Sequence, residues 1–100
     1  MSDLLIDLKQ FTKYSLIKQD DNSKIYLVQK SEREKTFLAT VLNINSDDFL
    51  TKIPMKFLGD LKLYNNSFPS LFIKFYGISL LDFNNESHPV LIIEKEQEKP

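Results

Sequence analysis

Few residues in this 100-residue chain could do chemistry. There is no cysteine, which excludes a disulfide, a thiolate metal site and a cysteine nucleophile. The only histidine, His88, has no second histidine with which to form a multi-histidine metal site. Serine and threonine are plentiful, but no G-x-S-x-G elbow or serine, histidine and acid set can be argued. We therefore expect His88 to be a surface or turn residue, not a catalyst.

The composition is that of one soluble domain, with 42% hydrophobic and 27% charged residues. A net charge of −1 gives no general attraction to nucleic acid or to an anionic membrane, so we expect neither as a partner. No basic region followed by a long apolar run begins the chain, and no apolar run approaches the roughly 20 residues that span a bilayer. These features predict a cytoplasmic domain.

The predicted fold is organised around the stretch Phe72 to Glu96. It contains two apolar strands, Phe72 to Leu81 and Pro89 to Glu94, joined by polar residues that favour a turn. An antiparallel pair is the simplest arrangement. Apolar residues occupy consecutive positions in both strands, so we expect the pair to lie in the middle of a packed layer and not at an edge.

Three more strands are predicted upstream. Tyr14 to Gln19 and Lys24 to Lys30 flank the polar turn at residues 20–23 and should form a hairpin. Lys35 to Asn43 should be a third strand, with Phe37, Ala39 and Val41 on one face and Leu38, Thr40 and Leu42 on the other. Before them, residues 2–12 allow either a short amphipathic helix or an extended lead-in.

A helical period appears between Ser46 and Asn65, where apolar residues recur at steps of three and four. Pro54 fits the first position of a helix, so we predict a short turn at 46–52, capped by Asn45 or Ser46, and a main helix at 54–65. The predicted class is α+β: a five-stranded antiparallel sheet with one main helix packed on it. Residues 1–96 should form one domain, with a charged tail at 97–100.

The segments FP, IKFYG and HPVLIIE, in that order around a polar turn, resemble the fourth and fifth strands of a protein-kinase amino-terminal lobe. The wording is most similar to divergent protist kinases, and the order of elements over residues 6–96 also resembles that lobe. The resemblance implies ATP-dependent protein phosphorylation as the ancestral activity. Such a lobe supplies a glycine-rich loop over the phosphates, a lysine on the third strand and a glutamate on the helix.

None of these three motifs is intact. Lys18, Asp20 and Ser23 stand where the resemblance places the three glycines, Thr40 stands at the lysine and Asp60 at the glutamate. Threonine is neutral and too short to reach a phosphate, and the acidic turn repels one. We therefore predict no catalytic residue: Thr40 and Asp60 are degenerate equivalents. The alternative role of Asp60 is that of a solvated acid beside Lys56.

The apolar part of the nucleotide site is better preserved. By the resemblance, Ile17, Ile25, Leu38 and Ile93 match residues that enclose a purine, and Glu94 matches the first hinge residue. The alternative is that they are core residues. No cofactor is predicted for this chain, and ATP with magnesium is expected only if a parent kinase is active.

The large-lobe motifs are not found in these residues. Asp82-Phe83-Asn84 superficially matches the metal-binding D-F-G motif, but it precedes the hinge, so we interpret it as a turn. Our first hypothesis is an inactive, pseudokinase-like fragment or degenerate relative of a protein kinase that acts as a binding or regulatory module. Its partner would be a protein or the missing carboxy-terminal lobe, and an exposed apolar patch should favour self-association. The rivals are an unrelated α+β protein-interaction domain without a nucleotide site and an enzyme that uses Lys18 or Lys24 instead.

Overall fold

The computed structural model describes residues 4–30, 36–60 and 74–94. In chain order, the elements are a 3-10 turn at Leu8–Gln10, β1 at Phe11–Gln19, β2 at Ser23–Lys30, β3 at Thr36–Leu42, α1 at Ser46–Lys52, a second helical segment, α2, at residues 55–60, β4 at Lys74–Ser79 and β5 at Val90–Glu94. The α+β class and its five-stranded antiparallel sheet are confirmed. No helix in the described ranges is long and apolar enough to cross a membrane.

The strands lie in the order β1-β2-β3-β5-β4, and every neighbouring pair is antiparallel. Both predicted pairs, β1 with β2 and β4 with β5, are present. The expectation that β4 lies inside the layer was wrong, because β4 is the last strand in the order. Its outer edge is covered instead by residues 4–6: the Ile6 N–H donates to the Ile78 carbonyl, and the Ile78 N–H donates to the Leu4 carbonyl, both at 2.9 Å.

The start of the chain is therefore largely extended, and the amphipathic helix considered for residues 2–12 is wrong for the described residues 4–12. A single 3-10 turn interrupts the segment, where the side chain of Asp7 accepts a hydrogen bond from the Lys9 amide. Residues 4–6 lie against β4, whereas Phe11 begins β1 at the other end of the strand order. The first described residues thus run from one side of the curled sheet to the other.

The sheet buries apolar side chains on both faces. Residues of β1, β2, β3 and β5 pack with the 3-10 turn on one face: Leu8, Phe11, Val28, Phe37, Ala39, Val41, Val90 and Ile92. On the other face, the helical residues Phe49 and Leu58 form a second cluster with Leu4, Phe75 and Ile78. This two-sided cover explains the consecutive apolar residues of β5. The alternation predicted for β3 is confirmed: its odd-numbered residues from Phe37 to Val41 are buried and its even-numbered residues are half-buried.

The helical region differs from the prediction in one respect. Residues 46–52, predicted as a short turn, form the α-helix α1, because the Asn45 side chain caps it by accepting the Asp47 amide at 2.8 Å. The buried Ser46 hydroxyl donates to the Leu80 carbonyl at 2.6 Å and fixes the helix to the chain after β4. The start of a second helix after Pro54 is confirmed; residues 61–65 of that predicted helix, like the tail at 97–100, lie outside the described residues.

Candidate functional site

The turn between β1 and β2 is organised by its own carboxylate. One oxygen of Asp20 accepts the amides of Asn22 at 2.8 Å and Ser23 at 2.9 Å, and the Asp20 amide donates to the Ser23 carbonyl at 2.9 Å. The backbone hydrogen bonds from Asn22 and Ser23 hold the pKa of Asp20 below its usual value. The carboxylate thus stays charged and occupies amides that a phosphate-binding loop would direct at its ligand.

Three of the four predicted purine-facing residues share one sheet face. Leu38 lies directly opposite Ile93, and Ile25 lies opposite Thr40 in the neighbouring row, so Ile25, Leu38 and Ile93 have the same orientation relative to the sheet. All three are half-buried. Ile17 differs: β1 is irregular between Leu16 and Lys18, so Lys18 stands opposite Ile25, and Ile17 is 55% exposed. The structure therefore brings together a set of three.

Glu94, the predicted hinge residue, is the last residue of β5 and is half-buried. It lies opposite Phe37 of β3 and Lys74 of β4, so its backbone is in the sheet on both sides. Glu94 therefore lies one position beyond the Leu38 and Ile93 pair.

Thr40 and Asp60, predicted to be degenerate equivalents of a catalytic lysine and glutamate, lie in different surroundings. Thr40 is half-buried on the same sheet face as Leu91, which packs against the helical cluster. Asp60, in contrast, is exposed and forms an ion pair with Lys56 at 3.7 Å, and no hydrogen bond joins it to Thr40. The pairing of Asp60 with Lys56, the alternative in the sequence analysis, is confirmed, and such an exposed pair has little effect on stability.

The loop between β4 and β5 is organised by a buried carboxylate. Asp82 is buried; one carboxylate oxygen accepts the amides of Asn84 at 2.8 Å and Glu86 at 3.0 Å, and the other lies 2.8 Å from Nδ1 of His88. Burial acts to raise the pKa of Asp82, but the hydrogen bonds from His88, Glu86 and Asn84 outweigh it and lower the pKa. Asn85 allows this tight loop by adopting a positive φ of 62°.

Asp82, Glu86 and His88 were the only described residues whose side chains could together hold a metal ion, with potential ligand atoms within 4.8 Å of one another. Both Asp82 oxygens already accept hydrogen bonds, which a metal would have to replace. No hydroxyl of a described residue hydrogen-bonds to His88, so a nucleophile for an aspartate and histidine pair is not in place there. The arrangement serves to hold the loop closed, which agrees with the expected turn role of His88.

An aromatic cluster attaches this loop to the first hairpin. The ring of Phe83 stacks on Tyr14 with centroids 4.3 Å apart and meets Tyr26 at 4.9 Å. Tyr14 and Tyr26 are also in edge contact. Asp82-Phe83-Asn84 forms part of a turn, as predicted, but these ring contacts and the Asp82 to His88 hydrogen bond were not predicted from the sequence. The available signal was the spacing D-x-x-x-E-x-H in a short polar loop, which local pattern rules do not weigh.

Two surface grooves flank this aromatic cluster. One, of about 640 Å³, lies between residues 5–14 and 79–85 and is lined largely by apolar side chains. The other, of about 360 Å³, lies between the turn of the first hairpin and the 82–88 loop; its lining has four carboxylates, from Asp20, Asp21, Asp82 and Glu86, and one lysine, Lys24. This acidic lining disfavours an anionic ligand such as a nucleotide phosphate. Ile17, Ile25, Leu38 and Ile93 line neither groove.

Comparison with known proteins gives no match for this chain among family models, curated proteins or solved structures.

Proposed function

We propose that this chain is a kinase-like amino-terminal lobe that does not transfer phosphate and that acts as a scaffolding or regulatory protein-binding module. The observation that carries the inactive part of this proposal is the Asp20 turn. The Asn22 and Ser23 amides donate to the Asp20 carboxylate, in the turn where the resemblance expects a phosphate-binding loop. A phosphate there would meet a negative charge and occupied donors.

The kinase origin rests on the resemblance of the strand sequences and is supported by the topology. The kinase-like arrangement requires a third strand beside the fourth and fifth, with Thr40 facing Asp60 across the helix. The strand order supports it, since β3 lies beside β5, β5 lies beside β4, and Thr40 shares a face with Leu91, which packs in the helical cluster. Asp60, however, is exposed and pairs with Lys56.

The expected lack of catalysis follows from the residues at positions 40 and 60, which lack the charge and the partner that phosphoryl transfer needs. Thr40 offers no cation for a phosphate, and the exposed Asp60 pairs with Lys56. Positioning and charge neutralisation supply nearly all the catalysis in phosphoryl transfer, so a lobe without these groups should be inactive.

Titration calorimetry with magnesium-ATP tests the inactive part directly. We expect no saturable heat up to millimolar nucleotide, because neither the turn nor β3 offers a phosphate site. Lys18 is the first residue to substitute, because it lies opposite Ile25, in the same row of the sheet as Thr40. Saturable binding that Lys18→Met or Lys24→Met abolishes would refute the proposal and support an enzyme with a relocated lysine.

The origin is tested by sequencing the native transcript beyond the codon for Pro100. A reading frame that continues into H-R-D and D-F-G motifs supports a kinase parent. A long continuing frame without either motif contradicts it. A stop codon would direct attention to the degenerate-lobe form of the proposal and to a search for the binding partner.

A second candidate, an unrelated α+β interaction domain, is favoured by one observation: the two grooves beside Phe83 exclude the predicted purine-facing residues. Methyl NMR separates the two candidates. Under the kinase-like proposal, an adenine analogue at millimolar concentration should shift the methyl signals of Ile25, Leu38 and Ile93, because unlike ATP it has no phosphates for the acidic turn to repel. The signals of Ile44, which follows β3 and packs against the helical cluster, should not shift. The interaction-domain candidate predicts no selective shift.

A further inference from the structure

The two outer edges of the sheet differ in whether another described segment covers them. Residues 4–6 cover the outer edge of β4 through the hydrogen bonds between Ile78, Leu4 and Ile6. Seven of the nine residues of β1 pair with β2 on one side, and within the described ranges no segment pairs with the other side. Unpaired strand edges are templates for a further strand, so β1 is the edge at which one could be added.

Besides its unpaired backbone edge, β1 has exposed apolar side chains. Tyr14 is 54% exposed and Leu16 is 47% exposed. Both lie in the stretch Lys13 to Leu16, where pairing with β2 is regular, and they are two residues apart, so they share one face of the sheet. An added strand would cover both side chains and pair the backbone between the irregularities that follow Phe11 and Leu16.

The sequence of β1 suits a second copy of itself in antiparallel orientation. A two-fold axis places one residue opposite its own copy. With Ser15 on the axis, Tyr14 of one copy lies opposite Leu16 of the other, an aromatic and aliphatic pair of the kind that stabilises sheets. With Tyr14 on the axis instead, Leu16 would face the polar Thr12. Ser15 is therefore the favoured centre.

The charges agree with this register. The residues around the axis in the regular stretch, Tyr14, Ser15 and Leu16, are uncharged, so no like charges are directly opposed at the centre of the contact. Beyond the strand, the acidic residues Asp20 and Asp21 of one copy approach the end of β1 that begins after Lys9 in the other. A parallel pairing in register would instead place each lysine beside its own copy. Charge complementarity therefore favours the antiparallel arrangement.

We propose that two copies of this chain associate through β1, antiparallel and centred on Ser15, to form one continuous sheet. The contact is short, so the association is reversible and concentration-dependent. It uses the edge of the first hairpin and does not depend on the kinase-like proposal or on the surface at which a second lobe would dock.

Cysteine cross-linking tests the register, and the absence of native cysteine makes each introduced thiol unique. Directly opposed residues have Cβ atoms about 4.5–5.5 Å apart, close enough for a disulfide after a small adjustment. Under mild oxidation, Ser15→Cys should yield a covalent dimer much faster than Thr12→Cys, a control at another exposed position of β1. Equal rates, whether both fast or both slow, would overturn the antiparallel register.

Sedimentation equilibrium tests the association itself. The wild-type chain should show a monomer and dimer equilibrium, and Leu16→Lys should raise its dissociation constant at least about tenfold by removing apolar contact. Leu81→Lys is the matched control, because Leu81 is 49% exposed and lies outside β1, and it should leave the constant unchanged. A wild-type chain that is monomeric at millimolar concentration, or equal effects of the two substitutions, would overturn the proposal.

Discussion

A Cβ atom on Gly77 would lie 2.8 Å from the carbonyl oxygen of Leu4 and 3.0 Å from Cγ2 of Ile6. The first of these distances is shorter than any ordinary contact, and its partner is a backbone atom that cannot rotate away. The Leu4 carbonyl is also the acceptor for the Ile78 amide. The absence of a side chain at Gly77 is therefore what lets residues 4–6 close the outer edge of β4.

Gly77→Ala should accordingly lower the free energy of unfolding by about 1–3 kcal/mol, since the added methyl group forces residues 4–6 away from β4. Urea denaturation followed by circular dichroism measures the change. Gly59→Ala is the control: it lies in α2, a Cβ there meets nothing within 4 Å, and alanine should raise the stability by up to about 1 kcal/mol. A Gly77→Ala protein as stable as the wild type would contradict the close approach.

Asp82→Asn should be destabilising by roughly 2–3 kcal/mol, because charge-assisted hydrogen bonds to two amides and to His88 lose their charge or their geometry. The same urea experiment applies. Asp21→Asn provides the comparison, since Asp21 is exposed and its carboxylate hydrogen-bonds to no described residue. If the two substitutions have the same effect, the 82–88 loop is not held by Asp82.

The unfolding free energy should depend on pH through the protonation of the Asp82 carboxylate. The pKa of Asp82 is lowered from its ordinary 3.8 in the folded chain, so its stabilising effect is complete above that value and disappears as the pH falls through the folded pKa. Asp20 acts in the same direction. The difference in unfolding free energy between the wild type and Asp82→Asn should therefore shrink as the pH drops below about 4. A difference that stays constant from pH 7 to pH 2 would contradict this assignment.

Phe83→Ala should separate the 82–88 loop from the first hairpin. It removes a stacked ring from Tyr14 and a contact with Tyr26, with an expected loss of about 1–3 kcal/mol because the ring is only half-buried. Native-state hydrogen exchange should show faster exchange at Asn84 and Glu86, whose amides donate hydrogen bonds to Asp82 within the loop. Phe57→Ala, at a ring that is 56% exposed, should change neither quantity.

Local pattern accounted for most of the strands. Alternation predicted β2 and β3 to within about one residue at each end, and the polar residues 20–23 and 82–88 marked their turns correctly. The start of the chain was left open because four apolar residues suit a helix face and an extended segment equally well. Pairing with Ile78, more than seventy residues away in sequence, decided for the extended form.

The features of the candidate site also divide into those that residue identity determines and those that tertiary contacts determine. Under the proposed kinase origin, the identities of Thr40 and Asp20 exclude the lysine and the glycine loop, because no fold can give threonine a charge or aspartate the freedom of glycine. The sequence by itself determined the strands and their turns. Only the tertiary structure decided that β5 lies between β3 and β4, that Ile17 falls at an irregularity of β1, and that Phe83 stacks on Tyr14. Those relationships depend on strand register and on contacts between distant segments, which no local spacing specifies.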